Sequence, residues 1–423
     1  MSKISTFTSE VICLVDGTSS GIYLAPAFLA AGYRCVHITN TFESFPGPSS
    51  VPLDYFEEDI QFDGDLHELQ KRLAKYRIAH LMAGSETGVE LADQLSTALG
   101  LRSSNGIELS LARRDKFVMQ EALRRAGVPS PQTKTVLSGE EVIAWATASA
   151  GWPIVVKPPR SAGTDRVRIC KNEEEVRGAC DAIIGKKNML GVTNTGILAQ
   201  QFLEGNEFMV NSVSAQGEHR ILEIWRSHKY MTGGIPLYDH LDLVCPSEHD
   251  YAVLASYTVQ VLQALDIRHG PAHAEVMMKG DKPMLIECAA RLQGNINPAA
   301  LLRVTGSNQI IDSVASYISP HRFLARTKLL EPLNEHCKIV LLLSPLSGVL
   351  AGPLPLERIE GLASFHSLRL RQKATAGSPI TQTTDLLTTV GSVYLVHDDA
   401  MQLDRDYAAI RDIEGNGFYA NIL

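Results

Sequence analysis

The sequence predicts an α/β protein of several domains, with an N-terminal open parallel sheet and a strand-rich central region. Three observations carry this reading. The first 100 residues alternate apolar strand-like runs with helical periodicity, and residues 150–290 read largely as successive strands joined by short turns. The length of 423 residues, 45% hydrophobic and 20% charged, exceeds what one hydrophobic core usually organises.

The elements follow in order. "VICLVDGTSSGIYLAPAFLAAGY" gives an apolar strand over 11–15, a Gly/Ser turn and a helix ending near Gly32. Gly17 and Gly21 lack the full spacing of a dinucleotide fingerprint, so a nicotinamide oxidoreductase is disfavoured and the glycines serve the tight turn. After the Pro/Ser-rich "SFPGPSSVP" come an amphipathic helix over 66–76, the strand "IAHLMAG" and the helix "ETGVELADQLSTALG", closed by Gly100. Ligands of such sheets gather at the carboxyl ends of the strands, which makes residues 16–21 and 84–87 candidate substrate contacts; the competing role is simple helix capping.

"NGIELSLARRDKFVMQEALRRAGVPSP" reads as one strong helix with a Gly-Val-Pro stop that opens the second domain. A helix over 140–150 precedes "WPIVVKPPRSAGTDRVRIC", in which a strand ending at Lys157 meets a glycine loop and a second strand follows. "TGILAQQFLEGNEFMVNSVSAQGEHRILEIWRSHKY" supplies three more strands, the last two joined near Gln216-Gly217. A helix over 249–265, the hairpin "HAEVMMKGDKPMLIECAAR" and a helix beginning near Pro298 complete this part. The last hundred residues add the strands "HCKIVLLLS" and "GSVYLVHDD" and a closing helix over 404–413.

Composition excludes several function classes. Lys and Arg number 39 against 47 Asp and Glu, a formal net charge of -8 without a dense basic run, so nucleic acid is not an expected partner. The seven cysteines are scattered, with no short-spaced pair for zinc or a redox dithiol, which fits a reduced, cytoplasmic protein. No apolar run approaches membrane-spanning length and no secretory h-region is visible, so neither anchor nor export is expected.

The hairpin carries the chemistry. A turn centred on Asp281 sets Lys279 opposite Pro283, Met277 opposite Leu285 and Glu275 opposite Glu287. Two facing carboxylates repel, and burying either one unpaired costs several kcal/mol, on the order of ~2–7 for a polar group alone. Hard oxygen ligands without a Cys/His cluster point to Mg2+, with Arg291 as a further positive partner. The competing reading is a solvated edge, or Arg291 simply neutralising Glu287. A metal–phosphate site also needs cations, and Lys116 in "RRDKF" and Lys157 in "IVVKPP" are available. Lys116 also fits a solvated helix charge. Lys157 stands beside "SAGTDRV", where Gly163 lets backbone approach a phosphate closely; the loop is not a Walker A motif.

Together "RDKFVMQEALRRAGVPSP", "PIVVKPPRSAGTDRV", "AQQFLEGNEFMVNSVS" and "HAEVMM…PMLIECAARLQGN" resemble the ordered motifs of the ATP-grasp superfamily over roughly residues 1–320. Within it, "IECAARLQGN" and "HKYMTGGIPLYDHLD" are most similar to L-amino-acid ligases, which join two amino acids. The resemblance implies an ATP-grasp fold divided into a pre-ATP-grasp domain (1–105), a lid subdomain (106–195), a large subdomain with the metal and substrate site (196–320) and a C-terminal lobe (321–423). It implies ATP held by Lys116, Lys157 and a loop over residues 161–164 that includes Ser161 and Gly163. Gln201 and Leu203 would line the adenine pocket and Glu207 would bind the ribose, while Gln200 stands where many relatives have glutamate. Glu275 and Glu287 would hold Mg2+, as two ions with Mn2+ as a substitute. Arg291 would stabilise the acyl phosphate, with Gly294 offering backbone nearby. His240, placed in a loop before the hairpin, would contact substrate; its competing role is that of a surface histidine. His273 shares a strand face with Glu275 and would support it.

The implied activity is an ADP-forming carboxylate–amine ligase acting on small amino-acid-like substrates, with a homodimer as the common assembly. Three alternatives accompany it: an amide-forming natural-product ligase using a non-proteinogenic acid, an enzyme activating bicarbonate or a nucleotide precursor, and a non-catalytic ATP-binding regulator.

Overall fold

The computed structural model describes residues 8–43, 51–161, 163–232, 235–294, 296–326, 333 and 335–423. Most of the Pro/Ser-rich loop, Ala162 of the glycine loop, Gly233 and Gly234, and Asn295 of the last motif fall outside the described residues.

Strands β1 (Glu10–Val15), β2 (Arg34–Asn40), β3 (Asp59–Phe62) and β4 (Arg77–Ala83) form a parallel sheet ordered β3-β2-β1-β4. Val11 to Val15 are wholly buried, as the unbroken apolar run requires when helices cover both faces. The strand order reverses between β1 and β4, so the loops after these two strands lie side by side. Their approach depends on missing side chains, since a Cβ on Gly21 would stand 2.3 Å from the Gly84 carbonyl oxygen.

A second, antiparallel sheet contains β5 (Thr133–Val136), β6 (Ile154–Lys157), β7 (Arg168–Cys170) and β8 (Ile197–Gln201) in the order β5-β8-β6-β7. The helices Gly139–Trp145 and Glu173–Ile183 bury Val142 and Val176 against Ile154 and Ile197 on one face.

The largest sheet has eight strands. It is built from β9 (Asn206–Ala215), β10 (Glu218–Thr232), β11 (Ile235–Leu243), β12 (Gly270–Lys279), β13 (Lys282–Ala289), β14 (His336–Leu342), β16 (Phe365–Leu370) and β18 (Gly391–His397), ordered β13-β12-β9-β10-β11-β14-β18-β16. A short ribbon, β15 (Gly348–Val349) with β17 (Pro379–Ile380), lies apart from it. Strands on both sides of residue 320 therefore share one sheet, joined where β11 pairs with β14.

Three local expectations change. The long helix expected over residues 105–131 is confined to Lys116–Arg125, because Asp115 caps it, accepting from the N–H groups of Phe117 at 2.9 Å and Val118 at 3.1 Å. Arg113 and Arg114 are thereby left outside that helix and buried. The stretch read as a loop before the hairpin, with His240 in it, is the strand pair β10–β11. The carboxylate hairpin turns on Gly280-Asp281 alone, so Lys279 faces Lys282, Met278 faces Pro283 and Met277 faces Met284. The register then shifts by one residue at Ile286, and this bulge restores the expected pairing of Glu275 with Glu287.

Candidate active site

A cavity of about 460 Å³ opens between the small antiparallel sheet and the large one. Its size suits a nucleotide-scale ligand. Lys157 and Gln200 come from the first sheet; Glu207, Lys229, Tyr238, Glu275 and Glu287 come from the second. Lys116, Ser161, Gly163, Gln201, Leu203 and Arg291 also line it.

The cations and acids form one connected set. The Lys116 ammonium lies 2.9 Å from Glu287 and donates to the Ser161 carbonyl at 2.6 Å, which ties the glycine loop to the hairpin that carries the two facing glutamates. Lys157 is 4% exposed and donates to the Gln200 side-chain oxygen at 2.8 Å. Burial and then the Lys116 charge bring its pKa down from 10.5 to about 8, against the pull of Glu287, Glu275 and Glu207. Glu275 stays well below the ordinary carboxylate range. Burial opposes this, but the His273 ring, 3.8 Å away, and the charges of Lys229 and Lys116 outweigh it. His273 Nδ1 is in turn 2.8 Å from the Asn211 side-chain oxygen, so it supports Glu275 from outside the cavity lining.

The end of the cavity around Glu207 is built on β8–β11. The Gln201 N–H is taken up by the Gln132 carbonyl at 2.9 Å, and the segment from Gln201 to Gly205 passes along the cavity wall. Gly205 permits this path: its φ is +132°, and a Cβ would stand 2.2 Å from the Met278 carbonyl oxygen. Glu207 accepts from Lys229 at 2.6 Å and from the Tyr238 hydroxyl at 2.8 Å, with the ammonium 4.0 Å above the Tyr238 ring. Sequence reasoning missed Lys229. Its only signal is strand alternation, since it lies two residues from Ser227, which pairs with Glu207 across the ladder.

Arg291 enters from the other side. Its Nε donates to Glu86 at 2.8 Å, and Glu86 also accepts from Arg114 at 2.5 Å. Burial disfavours the Glu86 charge, yet Arg114 and Arg291 hold its carboxyl well below 4.5. Arg114 reaches Glu43 at 2.5 Å, and Arg160, at the start of the glycine loop, contacts Glu90 and Glu43. This network, buried at Glu86 and Arg114, links the N-terminal sheet to Arg291 and the loop. Of the two loops expected at the substrate, Asp16 is occupied in holding them together, accepting from Thr87 at 2.5 Å and from the Asn40 N–H at 2.8 Å. Gly294 lies against the first of these loops, its nearest atom there being the Ser19 hydroxyl oxygen.

His240 is not brought to the cavity. The β10–β11 ladder pairs Lys229 with Tyr238 but His228 with His240, so Asp239 is an extra residue in β11. This bulge puts Tyr238 and His240 on opposite faces of the sheet, where regular alternation would put them on the same one.

The residues suit Mg2+ and a nucleotide. Two facing carboxylates are a hard donor set, and the Gln200 amide nitrogen is buried without a partner although its residue lines the cavity. An ATP-grasp domain description matches residues 150–299. Dapdiamide A synthase of Enterobacter agglomerans is 36% identical over 420 residues, 98% of each chain. The chain belongs to the ATP-grasp family. Members bind ATP with Mg2+. The L-amino acid ligase of Bacillus licheniformis shares the fold of this ATP-grasp chain with a TM-score of 0.74 at 17% identity, over 95% of this chain and 97% of that one. The biotin carboxylase domain of Hydrogenobacter thermophilus 2-oxoglutarate carboxylase, solved with MgADP and bicarbonate, gives 0.64 at 14% identity, over 94% and 89%. Among the described residues no helix is long and apolar enough to cross a membrane, and all seven cysteines are free.

Proposed function

We propose that this ADP-forming carboxylate–amine ligase joins an amino acid, or an amino-acid-like acid, to the amino group of a second amino acid. The observation that carries it is the convergence of Glu275, Glu287, Lys116, Lys157 and Arg291 on one recess. With ATP and Mg2+ bound, the acid's carboxylate would attack the γ-phosphorus, forming an acyl phosphate and releasing ADP; the amine would then attack the acyl carbon and displace phosphate, forming the amide.

The protein's part is positioning and charge. Glu275 and Glu287 would hold the metal, as two ions, with Mn2+ able to substitute. Lys116 and Lys157 would meet the phosphates, exchanging their bonds to Ser161 and Gln200 for contacts with oxygen anions. Glu207 would take the ribose hydroxyls in a site already shaped by Lys229 and Tyr238, and Gln201 and Leu203 would bracket the adenine. Arg291, oriented by its hydrogen bond to Glu86, would stabilise the acyl phosphate and the oxyanion formed from it. The loop containing Ser161 and Gly163 would close over the phosphates and exclude water. No side-chain nucleophile is required.

The 36% identity to a synthase of dapdiamide A over nearly the whole chain favours a second reading of the substrates, in which the acid is non-proteinogenic and the product is a small amide natural product. A cytoplasmic homodimer is the assembly and location that accord with the free cysteines and the family.

The test is mass spectrometry of the protein with Mg-ATP and pools of amino acids and small dicarboxylic or amide-bearing acids. ADP together with a new species equal to acid plus amine less water is the expected result. ADP formation with no condensed product from any pool, or condensation that releases AMP, would overturn the reading.

A further inference from the structure

The bulge that removes His240 from the cavity sets it into a second cluster of polar side chains. His228 and His240 are cross-strand partners with stacked rings, 4.2 Å between centroids and 7° between planes. His228 Nε2 is 2.9 Å from Asp242 Oδ2, and His240 Nε2 is 3.8 Å from the same oxygen. The ligand atoms of all three residues lie within 4.8 Å of one another. We propose that His228, His240 and Asp242 form a second metal site, for a divalent transition ion of the Zn2+ or Co2+ class, at the junction of the central sheet with the C-terminal strands.

The surroundings distinguish this cluster from a chance surface ion pair. Asp239 accepts from His240 Nδ1 at 2.8 Å, so in the neutral ring the lone pair lies on Nε2, the nitrogen on the Asp242 side. A carboxylate fixing the far nitrogen of a histidine is the usual support of a metal-bound imidazole. That carboxylate is itself fixed, accepting from the Tyr407 hydroxyl and from Arg411, each at 2.5 Å. Asp242 is anchored through its other oxygen by Lys338 at 2.5 Å, leaving Oδ2 facing the histidines. Lys338 is also 3.3 Å from Asp404, so its charge does not stand alone against a cation. Two face-to-face imidazolium ions would repel, whereas one divalent ion uses both lone pairs. The His228 side chain is 39% exposed and that of Asp242 31%, so an ion can reach them from solvent.

Two imidazoles with one carboxylate select Zn2+, Co2+ or Ni2+ over Mg2+, the reverse of the Glu275/Glu287 pair. The two sites lie on opposite faces of the same β10–β11 hairpin, with Lys229 and Tyr238 on the cavity side. An ion here would pin that hairpin against β14 and the helix Ala400–Ile413, which carries Tyr407 and Arg411.

The test uses untagged full-length protein, stripped with chelator and returned to excess Mg2+ with ADP to occupy the cavity. Co2+ is then added and the visible absorption of the bound ion followed, with Zn2+ displacement as a check. One Co2+ per chain is expected, absent in H228Q/H240Q, and bound ~10–100-fold more weakly in D239N, as for other residues that orient a metal ligand. No Co2+ spectrum in the wild type, or an equal spectrum in H228Q/H240Q, would overturn the proposal. If that double variant does not fold, judged by its melting curve without Co2+, D242N gives the same reading.

Discussion

Replacing Lys157 with methionine is expected to stabilise the empty protein while disabling it. A fall from 10.5 to about 8 means that the folded state bears a penalty of ~3 kcal/mol for keeping this ammonium charged, at ~1.36 kcal/mol per unit. Methionine fills a similar volume without charge; the lost bond to Gln200 returns ~1 kcal/mol, so the net gain at pH 7 is ~2 kcal/mol. The sign reverses the common case for a lysine that gains a partner. Here the folded pKa is depressed, so the penalty is complete below pH 8 and is relieved as pH rises from about 8 to 10.5, where the unfolded chain binds the extra proton. The advantage of K157M should therefore shrink to near zero by about pH 10. Urea unfolding followed by tryptophan fluorescence at pH 7 and pH 10 measures this, since Trp145 and Trp152 flank the approach to β6. Mg-ATP should raise the melting temperature of the wild type and leave the variant unchanged. A K157M protein less stable than wild type at pH 7, or a gain that does not decline with pH, would refute the reasoning.

Wild-type affinity for Mg-ATP should weaken by up to ~10-fold per pH unit above about 8, as Lys157 loses its proton, with a flatter profile in K157M by titration calorimetry. E287Q should lower ADP release by at least ~100-fold in a coupled assay while the fold, read by circular dichroism, persists. E86Q leaves Arg114 and Arg291 without their shared acid and should cost ~3 kcal/mol at neutral pH. Because the folded pKa of Glu86 is depressed, its contribution is present above pH 4.5 and lost below it, so the wild-type and E86Q stability curves should converge in acid. G205A should cost ~1–3 kcal/mol in thermal melts and raise KM for ATP more than it lowers kcat, since the displaced backbone lines the part of the cavity proposed to take the nucleotide.

The sequence by itself determined the parts whose physics is local. Alternation and apolar runs gave the parallel sheet and most strands, because side-chain period follows directly from backbone geometry. The facing glutamates were legible because a hairpin couples residues twelve apart through one short turn. Even the one-residue error in register beside the turn left that pairing intact, since the bulge at Ile286 made up the difference. Lys116 and Lys157 were legible through ordered motifs, and the structure brings both to the cavity.

Tertiary structure decided what depends on distant segments meeting. Glu86 becomes the anchor of Arg291 only because residues 205 positions apart in the chain pack together, and no periodicity encodes that. His240 leaves the site through a single extra residue in β11, a register event that strand pairing selects and composition does not reveal. The pairing of β11 with β14 extends the central sheet into the C-terminal strands, which the family resemblance implied to be a separate lobe. Local pattern thus picked out the glutamates and lysines that the structure gathers at the cavity. Long-range packing chose the face, the neighbours and the charge environment of each, because those are set by free energies summed over contacts that no short window of sequence contains.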